Sequence, residues 1–211
     1  MKDKKVPEVV AKRLPRYYRY LDELVKKNTL RISSGELSKK MGVTASQIRQ
    51  DFNFFGGFGQ QGYGYNVEQL KNEIASILGL DLGVKTILLG AGYLGHALAN
   101  HSNFEKRGFK LIGIFDTDKT IIGKKINNVE VFDVALLESF VKKEKPEIAI
   151  LAVPKNVSQE CANELISYGI KGIWNFSYAE IKTDSDIPIE NVHLSDSLMT
   201  LSYKIRSKDE K

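Results

Sequence analysis

Thr86-Ile87-Leu88-Leu89-Gly90-Ala91-Gly92-Tyr93-Leu94-Gly95 decides the architecture of the larger part of this chain. Four apolar residues read as a buried strand, and the glycine-rich turn that follows opens directly into a helical pattern. Gly90 allows the tight turn, Gly92 lets backbone approach a pyrophosphate, and Gly95 permits close packing of helix on strand. The helix N-terminus adds free N–H groups and partial positive charge for phosphates. Asp116 ends the next apolar run, 21 residues after Gly95. A carboxylate there accepts hydrogen bonds from an adenosine ribose and repels a 2′-phosphate, which favours NAD(H) over NADP(H). Gly90, Ala91, Gly92, Tyr93, Leu94, Gly95 and Asp116 are therefore the core of a predicted dinucleotide site.

Outward from this turn, strands and helices alternate. Strands are expected at 86–89, 110–115, 129–132, 147–153 and 170–174, and helices at 93–100, 133–143, 156–168 and about 195–205. Apolar strands alternating with helices predict an α/β domain built on a Rossmann-type parallel sheet covered on both faces. Val153-Pro154 and Asn175-Phe176-Ser177 fall at the carboxyl edge of that sheet, where a doubly wound fold takes its ligand, and are candidates for the nicotinamide half of the pocket.

The first 80 residues have another texture. Of a net charge of +5, they carry +6, with 14 Lys+Arg against 8 Asp+Glu, while residues 81–211 carry 17 against 18. A basic module joined to a neutral one suits an acidic partner. Helical periodicity covers 8–28; Ser33 with Glu36 forms a capping box for a short helix ended by Gly42; Thr44 caps a third helix running to about Phe54. Two short helices around a turn, the second opening in small polar residues, make a helix-turn-helix. Five glycines interleaved with aromatics between Phe55 and Tyr65 then predict a two-stranded ribbon, with aromatics paired across it, in the place of a wing. Read alone, the same run also suits a flexible linker. A further helix is expected at 67–78. The predicted organisation is a winged helix-turn-helix over 1–80, a nucleotide-binding domain over 84–193 and a terminal helical segment over 194–211.

Composition excludes other classes. At 42% apolar and 27% charged residues in 211 the chain has the makeup of a globular protein. No apolar run approaches the roughly 18 residues of a membrane span, and the basic opening run lacks the apolar segment of a signal peptide, so a cytoplasmic protein with no membrane partner is expected. The single cysteine, Cys161, leaves no internal disulfide and no cysteine-cluster metal site. His96, His101 and His193 are the only histidines and none sits in an acid–base constellation. Some 40 residues after the nucleotide core are too few for a substrate domain. No catalytic residue is expected, and the nucleotide reads as a ligand rather than a reagent.

Motifs along nearly the whole chain resemble one family, the redox-sensing repressors called Rex. They are Val6-Pro7, Arg13-Leu14, Tyr17 to Arg19, Gln47-Ile48-Arg49-Gln50-Asp51-Phe52, Phe54-Phe55-Gly56, Phe58-Gly59, Gly62-Tyr63-Gly64-Tyr65, Gly90 to Gly95, Phe115-Asp116, Val153-Pro154, Gly169-Ile170-Lys171-Gly172-Ile173 and Asn175-Phe176. The resemblance implies a homodimer on double-stranded DNA, with the third helix in a major groove, the wing in the adjoining minor groove and the C-terminal helix exchanged between subunits. It implies NADH and NAD⁺ as ligands, with NADH releasing the dimer from a palindromic operator. Thr44, Ser46, Gln47, Arg49, Gln50 and Asn53 then fall on the recognition helix. Gly59, Gln60, Gln61, Gly62 and Tyr63 form the wing tip, and Lys12, Arg13 and Arg16 meet phosphates. Arg19 matches an arginine that joins the two domains through an acidic partner at the start of the last helix.

Several positions depart from the family pattern. Gln50 and Gln60-Gln61 stand where basic residues are usual, which predicts fewer phosphate contacts and a flatter salt dependence. His101 replaces a tyrosine, Ser177-Tyr178 replaces a small residue followed by proline, and His193 stands where the acidic partner of Arg19 is expected, leaving Asp196 one turn further on as its substitute. Three alternatives to a normally responsive repressor stay open: a paralogue that binds DNA and NAD(H) but responds weakly to NADH, a small NAD-dependent oxidoreductase, and a constitutive DNA-binding protein whose nucleotide domain is a scaffold.

Overall fold

The computed structural model describes residues 6–54, 56, 59–60, 63–101 and 104–209. They group into two compact units, Met1–Leu82 and Gly83–Lys211. The first holds helices α1 (Glu8–Ala11), α2 (Leu14–Lys26), α3 (Ser34–Met41), α4 (Ala45–Asn53) and α5 (Val67–Ile77), with strands β1 (Arg31–Ile32), β2 (Gly59–Gln60) and β3 (Gly64–Asn66). The periodicity of 8–28 predicts one helix, and the chain makes two. Pro15 is the reason: in an unbroken helix it would remove the bond to the Ala11 carbonyl, whereas in the first turn of α2 its missing N–H costs nothing.

The helix starts follow local chemistry. The Ser33 hydroxyl accepts from the Glu36 N–H at 3.1 Å while the Glu36 carboxylate accepts from the Ser33 N–H at 2.8 Å. Thr44 accepts from the Gln47 N–H at 3.1 Å and Asn66 from the Gln69 N–H at 2.9 Å. Leu14, Tyr17 and Leu21 of α2 close a core with Leu37, Ile48, Phe52, Leu70 and Ile74. The strands form an antiparallel sheet in the order β1-β3-β2, the ribbon expected of a wing. Its register differs from the expected pairing of aromatics: Tyr65 faces Gly59 across the ribbon and Ile32 on the other side. Tyr65 is buried, its ring edge-on to Phe52 at 5.0 Å, so this aromatic anchors the ribbon to the helices instead.

The second unit contains β4 (Val84–Leu89), α6 (Tyr93–Ala99), β5 (Phe109–Asp116), β6 (Lys125–Ile126), β7 (Val129–Asp133), α7 (Leu137–Glu144), β8 (Ile148–Leu151), α8 (Lys155–Tyr168), β9 (Gly172–Asn175), β10 (Ile189–Asn191) and α9 (Leu194–Asp209). The strand order is β10-β9-β8-β4-β5-β7-β6, parallel throughout except for the β6–β7 pair. Alternate residues feed two cores, one on each face. Ile87, Leu89, Ala149 and Leu151 belong to one, Leu88, Ile114, Val131 and Ile150 to the other. β6 and β10 are absent from the periodicity reading because two or three residues set up no pattern.

The sheet reverses winding direction between β4 and β8, which puts the crevice of the fold at the carboxyl ends of these strands. The turn there is shaped by two glycines. Gly90 has φ +90° and lies against the Ala152 carbonyl, and a methyl on Gly95 would overlap the Gly90 carbonyl oxygen. Since the obstacle is backbone, Gly95→Ala should cost the second unit about 3 kcal/mol, the upper end of what overpacking usually costs. Urea unfolding followed by the fluorescence of Trp174 measures it, and an unchanged midpoint contradicts the packing role.

Candidate functional site

The predicted dinucleotide residues come together at the crevice. The Gly90 N–H donates to the Phe115 carbonyl at 2.8 Å and the Ala152 N–H to that of Leu89 at 2.8 Å, which ties the turn to both neighbouring strand ends. Asp116 is half-buried. One of its oxygens accepts from the Ala91 N–H at 2.6 Å, the other from the Thr117 and Asp118 N–H groups at 2.7 and 2.9 Å. A carboxylate held this way keeps spare lone pairs for a ribose hydroxyl. Gly92 starts α6 with no side-chain cap, and a Cβ there would meet nothing within 4 Å. The open space beside uncapped N–H groups is where an anionic ligand would sit. Tyr93 is fully exposed and Leu94 half-buried.

The other predicted loops divide in character. Val153 packs on the core, and Pro154 is exposed at the start of α8. Asn175 is buried and already satisfied: its Nδ2 donates to the Ala179 carbonyl at 2.6 Å and to Asn191 Oδ1 at 2.8 Å, while its Oδ1 accepts from the Ser177 N–H at 3.0 Å and from the Ser177 hydroxyl at 2.6 Å. Asn175 and Ser177 shape the loop and have few groups left to offer a ligand. Phe176 is buried against Trp174, centroids 4.6 Å apart, and Phe104 carries that ring series on to His101. His193 lies half-buried before α9 and Asp196 is exposed in its first turn. Arg19 is exposed on α2 of the other unit.

In the first unit Ser46, Arg49, Gln50 and Asn53 are exposed at helical spacing, so they share one face of α4. Arg49 donates to the Ser34 hydroxyl at 3.1 Å. The opposite face holds Asp51, fully buried. Arg13 grips it with Nε at 2.7 Å and Nη2 at 2.6 Å, the Tyr17 hydroxyl donates at 2.8 Å, and Gln47 Nε2 at 2.9 Å. Arg13 and Gln47, candidates for DNA contact, thus spend polar groups inside. Arg13 lies 38 residues from Asp51, a separation that gives no sign of the pairing, whereas Gln47 and Asp51 stand at the i,i+4 spacing of a helical pair. Burial works against the Asp51 charge, but the bonds from Arg13, Gln47 and Tyr17 outweigh it and hold its carboxyl below the ordinary range. Lys12 pairs with Glu8 at 2.8 Å, Arg16 is exposed, and Thr44 is engaged as a cap. Tyr63 is exposed at the end of the ribbon; Gln61, Gly62 and the side chain of Gln60 lie outside the described residues.

Among the described residues no group of three or more His, Cys, Asp or Glu could hold a metal ion, and no helix is long and apolar enough to cross a membrane. Residues 5–53 match the family model "Putative DNA-binding protein N-terminus" and residues 81–179 a model described as a CoA binding domain. The redox-sensing transcriptional repressor Rex of Thermoanaerobacter pseudethanolicus is 56% identical over 208 residues, covering 99% of this chain and 93% of that one. The chain belongs to the Rex family. Rex of Clostridium perfringens is 52% identical over 210 residues, 100% of this chain and 99% of its own. The crystal structure of RSP in complex with β-NAD⁺ and operator DNA is 56% identical with a TM-score of 0.91, covering 97% of this chain and 94% of that one. RSP in complex with β-NADH is 53% identical, also at 0.91, covering 97% and 96%. Rex relatives are thus similar across both units, and they are named as transcriptional repressors.

The buried ion pair makes a prediction of its own. Asp51→Ala leaves a part-buried guanidinium and a buried phenol without their acceptor and should destabilise the protein by about 3 kcal/mol in urea. Because folding lowers the Asp51 pKa, its contribution is complete above the unfolded value of about 4 and fades as pH falls through the depressed folded value. Asp51→Asn should therefore flatten the loss of stability in acid. A variant whose acid limb matches the unmodified protein argues against the assignment.

Proposed function

We propose that this member of the Rex family is a cytoplasmic homodimeric repressor that binds a palindromic operator in double-stranded DNA and is released from it by NADH. The carrying observation is the turn 90–92, open beside Gly92 and flanked by the oriented Asp116 carboxylate, on the same chain as an exposed polar face on a capped helix α4. The fit to NAD(H) is good: the α6 N-terminus and the turn N–H groups suit a pyrophosphate, and Asp116 suits a ribose carrying a free 2′-hydroxyl. The RSP complexes with β-NAD⁺, operator DNA and β-NADH support this reading.

Under this reading Arg49 reads base edges, with Ser46, Gln50 and Asn53 beside it. Arg16, Lys12 and the wing around Tyr63 position the protein on phosphates. The exposed apolar residues of α9, among them Leu198, Leu201, Tyr203 and Ile205, suit exchange of that helix between subunits. Arg19, His101, His193 and Asp196 belong to the coupling of the two units. NADH carries an uncharged nicotinamide ring where NAD⁺ carries a cationic one, and release requires only that NADH prefer the conformation that does not fit the operator. Relatives of this chain are named as transcriptional repressors, which supports the nucleotide acting as an effector and not as a reagent of catalysis.

Fluorescence anisotropy of a labelled palindromic duplex tests the proposal. The duplex should dissociate under NADH at concentrations where NAD⁺ leaves it bound, and binding that ignores both nucleotides would overturn the redox reading. Arg49→Ala should abolish specific duplex binding and leave NADH affinity intact, since it faces away from the α4 core. Gly92→Leu should do the reverse, because the backbone tolerates a side chain there that fills the space for the pyrophosphate. Equal loss of both activities in either variant would contradict the division of labour.

A further inference from the structure

Tyr178 has a left-handed backbone, φ +58°, a conformation costly for a bulky aromatic. The strain is held by its surroundings. Asn175, locked by four hydrogen bonds, folds the chain back from the end of β9 so that Ala179 returns to the Asn175 amide. The Phe176 N–H donates to the Leu151 carbonyl at 2.8 Å, which fixes this loop beside the end of β8 and hence beside the turn at Gly90. The ring is half-exposed and stands 6.0 Å, centroid to centroid, from His193, immediately ahead of α9.

A dinucleotide is a linear ligand with one nucleoside at each end. With its adenosine at Asp116 on the β5 side and its pyrophosphate at Gly92, the other nucleoside must lie over the ends of β8 and β9. We propose that Tyr178 is a binding residue for the nicotinamide end, its ring backed by His193 and presented as an aromatic wall by the strained turn. An aromatic face recognises a flat heterocycle by stacking. The inference rests on the dinucleotide reading of the cleft and adds a residue and a partner to it.

ADP-ribose, which has the adenosine, pyrophosphate and second ribose but no nicotinamide, separates this end from the rest. Tyr178→Gly removes the ring and also relaxes the left-handed backbone, so the fold is preserved; circular dichroism and a melting curve check this. NADH affinity, read from its own fluorescence, should fall about threefold to tenfold, the range of a lost aromatic contact. ADP-ribose affinity, read by calorimetry, should stay unchanged. Tyr178→Phe should restore NADH binding, because the ring and not the hydroxyl is the contact. Unchanged NADH affinity in Tyr178→Gly, or an equal fall for both ligands, overturns the proposal. Failure of both ligands to bind the unmodified protein overturns the dinucleotide reading and this inference with it, and shows before any variant is made.

Discussion

The contact of two backbones, Gly95 of α6 seated on the Gly90 carbonyl, is the constraint on which the nucleotide half depends. It brings the start of α6 down onto the end of β4, the central strand, and so fixes where uncapped N–H groups face. Hydrogen bonds tie the same turn to both neighbouring strands: the Gly90 N–H donates to the Phe115 carbonyl in β5, and the Leu89 carbonyl at the end of β4 accepts from the Ala152 N–H just after β8. Asp116 is then oriented by the turn it serves, through the Ala91 N–H. Strand ends, helix start and carboxylate form one rigid frame, and preorganisation of this kind reduces what a ligand must spend on ordering its site.

The first unit is organised around the opposite kind of contact, a buried charge. Asp51 has no solvent exposure, and its desolvation is offset by a bidentate arginine, a phenol and an amide. The donors come from Arg13 just ahead of α2, Tyr17 of α2 and Gln47 of α4, so the carboxylate ties the core helix to the helix that carries Ser46, Arg49, Gln50 and Asn53. Those four residues are exposed, with Arg49 donating to Ser34, so their chemistry can vary without disturbing the packing beneath.

How much of this was legible in the sequence follows from the range of each interaction. The glycine turn, the alternation of strands and helices and the caps at Ser33 and Thr44 are local, and each stands in the structure at its expected place. Pro15 was local as well, yet the apolar periodicity running through 8–28 masked the break it makes. Non-local pairings left no trace: Tyr65 against Phe52 in place of a partner across the ribbon, Arg13 turned toward Asp51, and Asn175 bonded to Asn191. The left-handed Tyr178 was visible only as an unexpected residue after Asn175-Phe176-Ser177, because a positive φ at a tyrosine has no sequence signature.

The two margins of the seven-stranded sheet have a consequence for how copies of this chain can meet one another. One margin is β6, two residues long, antiparallel and preceded by Lys124 with Lys125 within it; the other is β10, three residues following Pro188. Neither offers a length of unpaired backbone on which a second sheet can extend, and the lysines and the proline discourage it further. Edge-to-edge polymerisation is thereby blocked at both sides, so copies can crowd together without zipping their sheets into fibres.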